Sequence, residues 1–237
     1  PYTEDILGLP VINIRYVPLN NTFNAMIKRA MDIVGSICGI IVTSPLMLLM
    51  CLLIKLTSPG PLIYKQERVG LHNRTFRMYK FRSMEIQPES EEKKAWTVKN
   101  DPRVTGIGKF MRHTSIDELP QLFNILKGDM SIVGPRPLLV SYLPWYTEEE
   151  HHRHDVRPGL TGLAQVNGRN AIKLWESVFA YDLKYVSNIT WIGDLKIILS
   201  TISKVFKRSD VVVPTGEGGS GRLDVERRNR QNNVTTR

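Results

Sequence analysis

The longest uninterrupted pattern in the chain is a stretch without a single charge. From Ile33 to Ile54 the residues read IVGSICGIIVTSPLMLLMCLLI, and at ~1.5 Å per residue a straight helix of this length crosses a hydrocarbon core of ~30 Å. The run begins well inside the chain and lacks a small-x-small cleavage site, which argues against a secretory signal. A buried helix of a soluble core is the alternative, although such helices seldom run this far without a charge. Ser44-Pro45 stands at the centre, where proline removes a helical hydrogen bond and crowds the preceding turn. In lipid the freed carbonyl needs a substitute donor, and the hydroxyl of Ser44 or Thr43 can supply one. Two arrangements follow: a kinked span, or a re-entrant hairpin that dips in and returns. Lys28 and Arg29 precede the run, and Lys55, Lys65 and Arg68 follow it. Positive flanks on both sides favour the re-entrant form, with both ends on the cytoplasmic face. Gly35 and Gly39 form a small-xxx-small pair that lets helices approach closely.

The remaining patterns are shorter. Residues 1–19 carry Pro10 and Pro18 and read as an incoming linker or a short strand. Asn20 to Asp32 is the polar lead-in to the apolar helix. Ser58-Pro59-Gly60-Pro61 is a firm break, after which Leu62–Val69 and Thr75–Ser83 predict a β-hairpin. Pro88 to Lys94 is charged and predicts a surface loop or short helix. Leu119, Leu122, Phe123 and Leu126 recur at helical spacing, so a helix runs to Lys127 and stops at Gly128. Trp191, Ile192, Leu195, Ile198, Leu199, Ile202, Val205 and Phe206 form another stripe, opposite Lys196, Lys204 and Lys207. That suits an interfacial membrane helix, and equally an ordinary helix whose apolar face packs on a core. From Pro214 onward the chain is almost without apolar residues and predicts disorder.

Composition narrows the function. Among 237 residues, 32 Lys and Arg face 23 Asp and Glu, for a net charge of +9. The surplus favours anionic partners: phosphates, nucleic acid or an acidic membrane face. The two cysteines, Cys38 and Cys51, both lie in the apolar run, which excludes a disulfide scaffold and a cysteine-based zinc cluster. No helix-turn-helix or basic-aromatic RNA motif accompanies the charge, so no nucleic-acid partner is expected.

Candidate chemistry centres on Thr114-Ser115-Ile116-Asp117-Glu118-Leu119-Pro120-Gln121. Pro120 fits only a first helical turn, which places Asp117 and Glu118 at a helix N-terminus, where ionised carboxylates are favoured. Ser115-x-x-Glu118 fits a capping box, so helix capping and catalysis both remain open here. Around this pair lie residue types that grip phosphate: Lys80 and Arg82 on the second strand, then Arg103, Lys109 and Arg112. Arg136 is fixed between Pro135 and Pro137, and Arg157, Gln165, Asn167 and Arg169 follow among glycines. Arginines fixed in rigid turns lose little entropy on gripping a phosphate. Singly, each reads as a solvated surface charge; together they point to an anion. His151, His152 and His154 lie in a charged run and read as a solvated helix face rather than a metal site. P-loop, dinucleotide-binding and nucleophile-elbow motifs are absent.

KRAMDIV before a Ser-Pro-centred apolar run, SPGPLIYKQERVG, FRMYKFRSM, DPRVTGIGKFMRHTSIDELPQLFNILKGDMSIVGPRP and VRPGLTGLAQVNGRN together resemble the bacterial sugar transferases. These are the monotopic phosphoglycosyl transferases that begin glycoconjugate assembly on polyprenyl phosphate. The likeness spans about Asn24 to Arg208. It implies an α+β, mostly helical membrane domain with a re-entrant helix-break-helix at Ser44-Pro45, interfacial amphipathic helices and a small β-hairpin. The layout implied is a linker over 1–19, the re-entrant helix over 20–57, a cytoplasmic-face catalytic domain over 58–209 and a disordered tail over 210–237. The chain is expected to be the C-terminal catalytic part of a longer protein.

The resemblance also implies a ping-pong reaction. Asp117 is the expected nucleophile toward a UDP-sugar, with glucose or galactose favoured, releasing UMP and keeping sugar-1-phosphate until undecaprenyl phosphate takes it. Glu118 is expected to help bind Mg²⁺, and Lys80, Arg112, Arg136 and Arg157 to surround the phosphates. Membrane lipids are further partners, the bacterial inner membrane is the expected location, and a homodimer is among the open options. Exopolysaccharide, capsule or lipopolysaccharide synthesis is the implied context. The competing expectation is a membrane-tethered basic scaffold without catalysis.

Overall fold

In the computed structural model of the protein, the described residues are 2–6, 9–13, 17–85, 101–167, 175–207 and 222–235. Strands β1 (Tyr2–Ile6) and β2 (Leu9–Asn13) pair antiparallel within the segment expected as linker or short strand. Helix α1 then runs from Thr22 to Thr57. Asn21 caps it, its side chain accepting from the amides of Phe23 and Asn24, which offsets the unpaired donors of the first turn.

The apolar run is thus one continuous 36-residue helix with Pro45 inside it, not two helices separated by a non-helical break. Proline leaves the Ile41 carbonyl without its usual amide donor. The Ser44 hydroxyl takes that place, donating to Ile41 O at 2.8 Å, and the neighbouring Thr43 donates to Gly39 O at 2.7 Å. The Ser44 bond gives the helix a substitute donor at the proline. One face of α1 is packed at both ends, with Asp32 and Ser36 buried in the first half and Met50 and Ile54 in the second. The other face leaves Phe23, Val34, Ile41, Val42, Leu48, Leu52 and Leu56 exposed.

The predicted hairpin is β3 (Ile63–Val69) with β4 (Thr75–Phe81), in antiparallel register with Ile63 opposite Phe81 and Val69 opposite Thr75. Helix α2 (Gly106–Thr114) follows, then a single 3-10 turn over Ile116–Glu118 and helix α3 (Gln121–Lys127). Gly128, at φ 92°, ends α3 as expected. Strand β5 (Ser131–Val133) pairs in parallel with β6 (Gly159–Thr161). Between these lies the short helix α4 (Glu148–His151), and after them α5 (Leu163–Val166), α6 (Trp175–Ser187), α7 (Trp191–Lys207) and α8 (Leu223–Thr235).

The core wraps along α1. Near its start, Lys28 donates to Asp194 on α7 at 2.6 Å and to Val133 O at 3.1 Å, while Asp32 accepts from Ser131 Oγ and Ile132 N, each at 2.9 Å. Tyr185 joins this network, donating within hydrogen-bond distance (2.9 Å) of both Val133 O and Asp194. Near its end, Met50 and Ile54 pack with Phe81 and Met111. Lys28 and Ile54 lie about 39 Å apart along the helix axis, so the globular part is docked along most of α1.

Helix α7 is amphipathic as expected, and most of its apolar stripe turns away from the core, while Ile198 packs against it. Trp191, Ile192, Leu195, Leu199 and Ile202 are exposed, while Asp194 and Ile197 face inward. An ordinary surface helix does the reverse. The expected disorder of the tail needs correction for its described part: α8 packs Leu223, fully buried, against Tyr142 and Phe179. Arg227 ion-pairs with Glu150 and also donates to Trp145 O, so one apolar anchor and one buried ion pair dock a helix that is otherwise polar. Residues 86–100, including the predicted loop at Pro88–Lys94, and residues 208–221 of the tail lie outside the described residues.

Candidate active site

Asp117 and Glu118 do not cap a helix. Ser115 ends α2 in the left-handed conformation, at φ 57°, and its side chain makes no capping bond. A capping box needs an extended N-cap residue, so this backbone excludes it and leaves both carboxylates for other partners. Asp117 is buried, at 8% exposure.

Lys80 on β4 serves the pair. Its ammonium donates to Glu118 Oε1 at 2.7 Å and lies 3.9 Å from Asp117 Oδ2. Arg136 Nη2 donates to the same Glu118 oxygen at 3.2 Å. Arg112, on the last turn of α2, donates from Nε to Ser83 Oγ at 2.8 Å and is electrostatically coupled to Asp117. Burial pushes the Asp117 carboxyl above the ordinary carboxylate range; Lys80, Arg112 and Arg136 oppose that rise, and the charge of Glu118 adds to it. Burial likewise lowers Arg112, against the pull of Asp117 and Asp101.

The strand bearing Lys80 and the turn bearing the acids are registered by Asn124. Fully buried on α3, it accepts from Tyr79 N at 2.9 Å and donates to Arg77 O at 2.8 Å, completing the edge of β4. Cations lock the far end of α3. Arg29 donates to the carbonyls of Ile125 and Leu126 at 2.6 and 2.7 Å, and Arg157 Nε donates to Gly128 O at 2.8 Å. Both place positive charge on carbonyls at the helix end and complement its dipole.

Of the residues expected to bind phosphate, the structure therefore gathers Lys80, Arg112 and Arg136 around Asp117 and Glu118. Arg82 is not among them: it is buried, its two terminal nitrogens donating to Pro59 O and to the carbonyl and hydroxyl of Ser58, where it fastens the chain after α1. Arg157 is engaged at the end of α3. Gln165 donates to Leu160 O at 3.3 Å, and Asn167 bonds back to Leu163 O within its own turn. Arg169 lies outside the described residues.

Two arginines that the sequence did not mark as candidate site residues bear on the Arg136 turn. Arg68, at the end of β3, donates to Pro137 O at 3.4 Å, beside Arg136, and to Gln66 at 2.6 Å. Burial, with Arg136 close by, brings it down to about 10, which leaves it charged near neutrality. Arg153 lies fully buried in the run that reads as a solvated face, and next to it burial lowers His154 to about 3. No group of three or more metal-ligating side chains occurs among the described residues, and His152 instead pairs with Asp155 at 2.9 Å. The donor set at Asp117 and Glu118 nevertheless suits Mg²⁺, which typically takes one or two carboxylates and completes its shell with substrate phosphates and water.

Known proteins resemble this chain over most of its length. The family model described as bacterial sugar transferase matches residues 23–208. The uncharacterized sugar transferase EpsL of Bacillus subtilis (strain 168) is 46% identical over 180 residues, covering 76% of this chain and 87% of that protein. The UDP-glucose:undecaprenyl-phosphate glucose-1-phosphate transferase of Klebsiella pneumoniae is 43% identical over 211 residues, covering 86% of this chain and 45% of its own. The undecaprenyl-phosphate galactose phosphotransferase of Salmonella typhimurium is 43% identical over 197 residues, covering 77% and 41%. The chain thus spans less than half the length of these last two relatives.

Proposed function

The chain belongs to the bacterial sugar transferase family, and from that premise we propose that it is a phosphoglycosyl transferase moving sugar-1-phosphate from a UDP-sugar to undecaprenyl phosphate. The observation that carries the reading is a buried aspartate, Asp117, ringed by Lys80, Arg112 and Arg136 with Glu118 beside it. Glucose and galactose are the favoured sugars, because relatives of similar identity are named for them.

In the first half-reaction an oxygen of the Asp117 carboxylate attacks the phosphorus that bears the sugar. A new oxygen–phosphorus bond forms, the bridging pyrophosphate bond breaks, and UMP leaves with the bonding electron pair. In the second, a phosphate oxygen of the lipid attacks the same phosphorus, forming a new diphosphate and returning Asp117 as a carboxylate. Splitting transfer into two displacements means that a water-soluble donor and a lipid acceptor need not be bound together. A carboxylate approaching a diphosphate meets like charge, which Lys80, Arg112 and Arg136 offset at fixed positions with little reorganisation. Burial raises the free energy of the ionised carboxylate, which favours its attack. Mg²⁺, held through Glu118, would supply further charge neutralisation at the phosphates.

The protein is membrane-associated, and the reading extends to a monotopic anchor with both ends of α1 on the cytoplasmic face of the inner membrane. Support comes from the docking of the globular part along α1 from Lys28 to Ile54, since a body on one side of a bilayer does not follow a helix through it. The apolar faces of α1 and α7 then share the lipid, and the acceptor phosphate stays at the headgroup level with Asp117.

The test is UMP release from UDP-glucose and UDP-galactose, with Mg²⁺ and undecaprenyl phosphate in proteoliposomes. Mass spectrometry of protein quenched with donor alone should show a hexose-phosphate adduct on Asp117. Release that persists in Asp117→Asn would overturn the reading.

A further inference from the structure

The guanidinium of Arg153 is sealed inside the protein, and so is the carboxylate of Asp182 on α6; each residue is 1% exposed. Nε and Nη2 of Arg153 both donate to Asp182 Oδ2, at 3.0 and 2.6 Å. The same Nη2 donates to the main-chain carbonyl of Arg136 at 2.8 Å. A buried pair of this kind is a poor source of stability, because apolar residues of equal volume often serve as well. What it supplies here is a charged donor held at a fixed place under one peptide group.

That peptide group belongs to an unusual turn. Pro135 and Pro137 flank Arg136 and have no amide hydrogen, so the turn is held chiefly through its carbonyls. Pro135 O accepts from Gly159 N at 2.9 Å, Pro137 O from Arg68 at 3.4 Å, and Leu138 O from Val69 N at 3.1 Å. The remaining carbonyl, that of Arg136, is the one given to the buried ion pair. We propose that Arg153 and Asp182 are positioning residues, fixing the main chain at Arg136 so that its side chain meets Glu118 and the diphosphate of the donor. This rests on the reading of Arg136 as an anion-binding residue.

Calorimetric titration of inorganic pyrophosphate into the protein in nanodiscs reads the Arg136 contact without turnover. Arg136→Ala should weaken binding about tenfold, as expected for loss of a charge-assisted contact. Replacing the pair together, Arg153→Met with Asp182→Leu, refills its volume and should weaken binding by a similar factor while the melting transition is kept. The triple variant should bind no more weakly than Arg136→Ala alone, because residues that act through one another are not additive. If the paired replacement does not fold, Asp182→Asn takes its place in the same cycle. Losses that multiply in the combined variant, or a folded variant of the pair that binds as wild type, would refute the positioning role. Unchanged binding in Arg136→Ala would remove Arg136 as an anion ligand and the inference with it. UMP release by wild type tests the transferase reading separately.

Discussion

Lys80 donates to Glu118 at 2.7 Å, while the neighbouring Asp117 is left 3.9 Å from the same ammonium. The lysine therefore holds Glu118 and acts on Asp117 through space. It is the strongest of the charges that oppose the burial-driven rise of Asp117. Lys80→Met should lower UMP release by about 100-fold, in line with removal of one preorganised charge contact. It should also move the acid limb of the pH–rate profile to higher pH, because Asp117 then needs a higher pH to ionise. A rate–pH series on wild type and variant checks both.

Asp117→Asn should abolish turnover without lowering stability. The sign follows from burial: the folded state holds the Asp117 carboxyl above its ordinary range, so its ionised form costs the native state free energy as pH rises through the folded value. An uncharged isostere removes that cost. The melting temperature of Asp117→Asn at pH 7 should equal or exceed that of wild type, and the excess should fade as the pH is lowered. A marked loss of stability would mean that the ionised carboxylate is a net structural asset, and the argument for its destabilised ground state would fail.

What the sequence made legible was local chemistry. The Ser44 hydroxyl meets the carbonyl that Pro45 frees, Gly128 ends α3, and the β3–β4 hairpin spans nearly the predicted residues. The acidic pair was legible as a pair, but its use was not. Only the left-handed backbone at Ser115, a product of how α2 meets the next turn, excludes the capping box and leaves both carboxylates for other partners. Arg82 and Arg157 are each suited to phosphate and to backbone carbonyls, and in the structure Arg82 holds Ser58 and Pro59 while Nε of Arg157 holds Gly128 O. Arg153 was invisible because its partner Asp182 is far away in the chain. Helix α8 was missed because Leu223 and Arg227 do the docking that composition assigns to many apolar residues.

The path of α1 is open to direct labelling. With Cys38 and Cys51 replaced, single cysteines at Asn21 and Ser58 should react with an impermeant maleimide from the same side of oriented vesicles. Pro45→Leu restores the missing amide donor at the helix centre and leaves the Ser44 hydroxyl without its task. If the proline lets α1 turn back, this variant should shift a fraction of molecules to labelling from opposite sides, with loss of activity in that fraction. Opposite-side labelling in the Pro45-containing protein would end the monotopic reading.

Under the proposed two-step reaction, the outward stripe of α7 offers a way to tell the two half-reactions apart. Trp191, Leu195 and Leu199 are each more than half exposed, at 70, 54 and 57%, and burying such side chains in lipid gains about 1.5–3 kcal/mol apiece. Replacing all three with serine removes that attraction while Asp194 and Ile197, which hold α7 to the core, stay in place. The anchor α1 should keep the protein in the membrane, so flotation with vesicles should be retained. The site would no longer be held level with the lipid headgroups. A single-turnover burst of UMP, which needs only the soluble donor, should match wild type, whereas steady-state turnover with undecaprenyl phosphate should fall about tenfold or more, the loss expected when a reacting group is misplaced by a fraction of an ångström. Equal losses in burst and steady state would show that α7 supports the catalytic core itself and not its seat on the membrane.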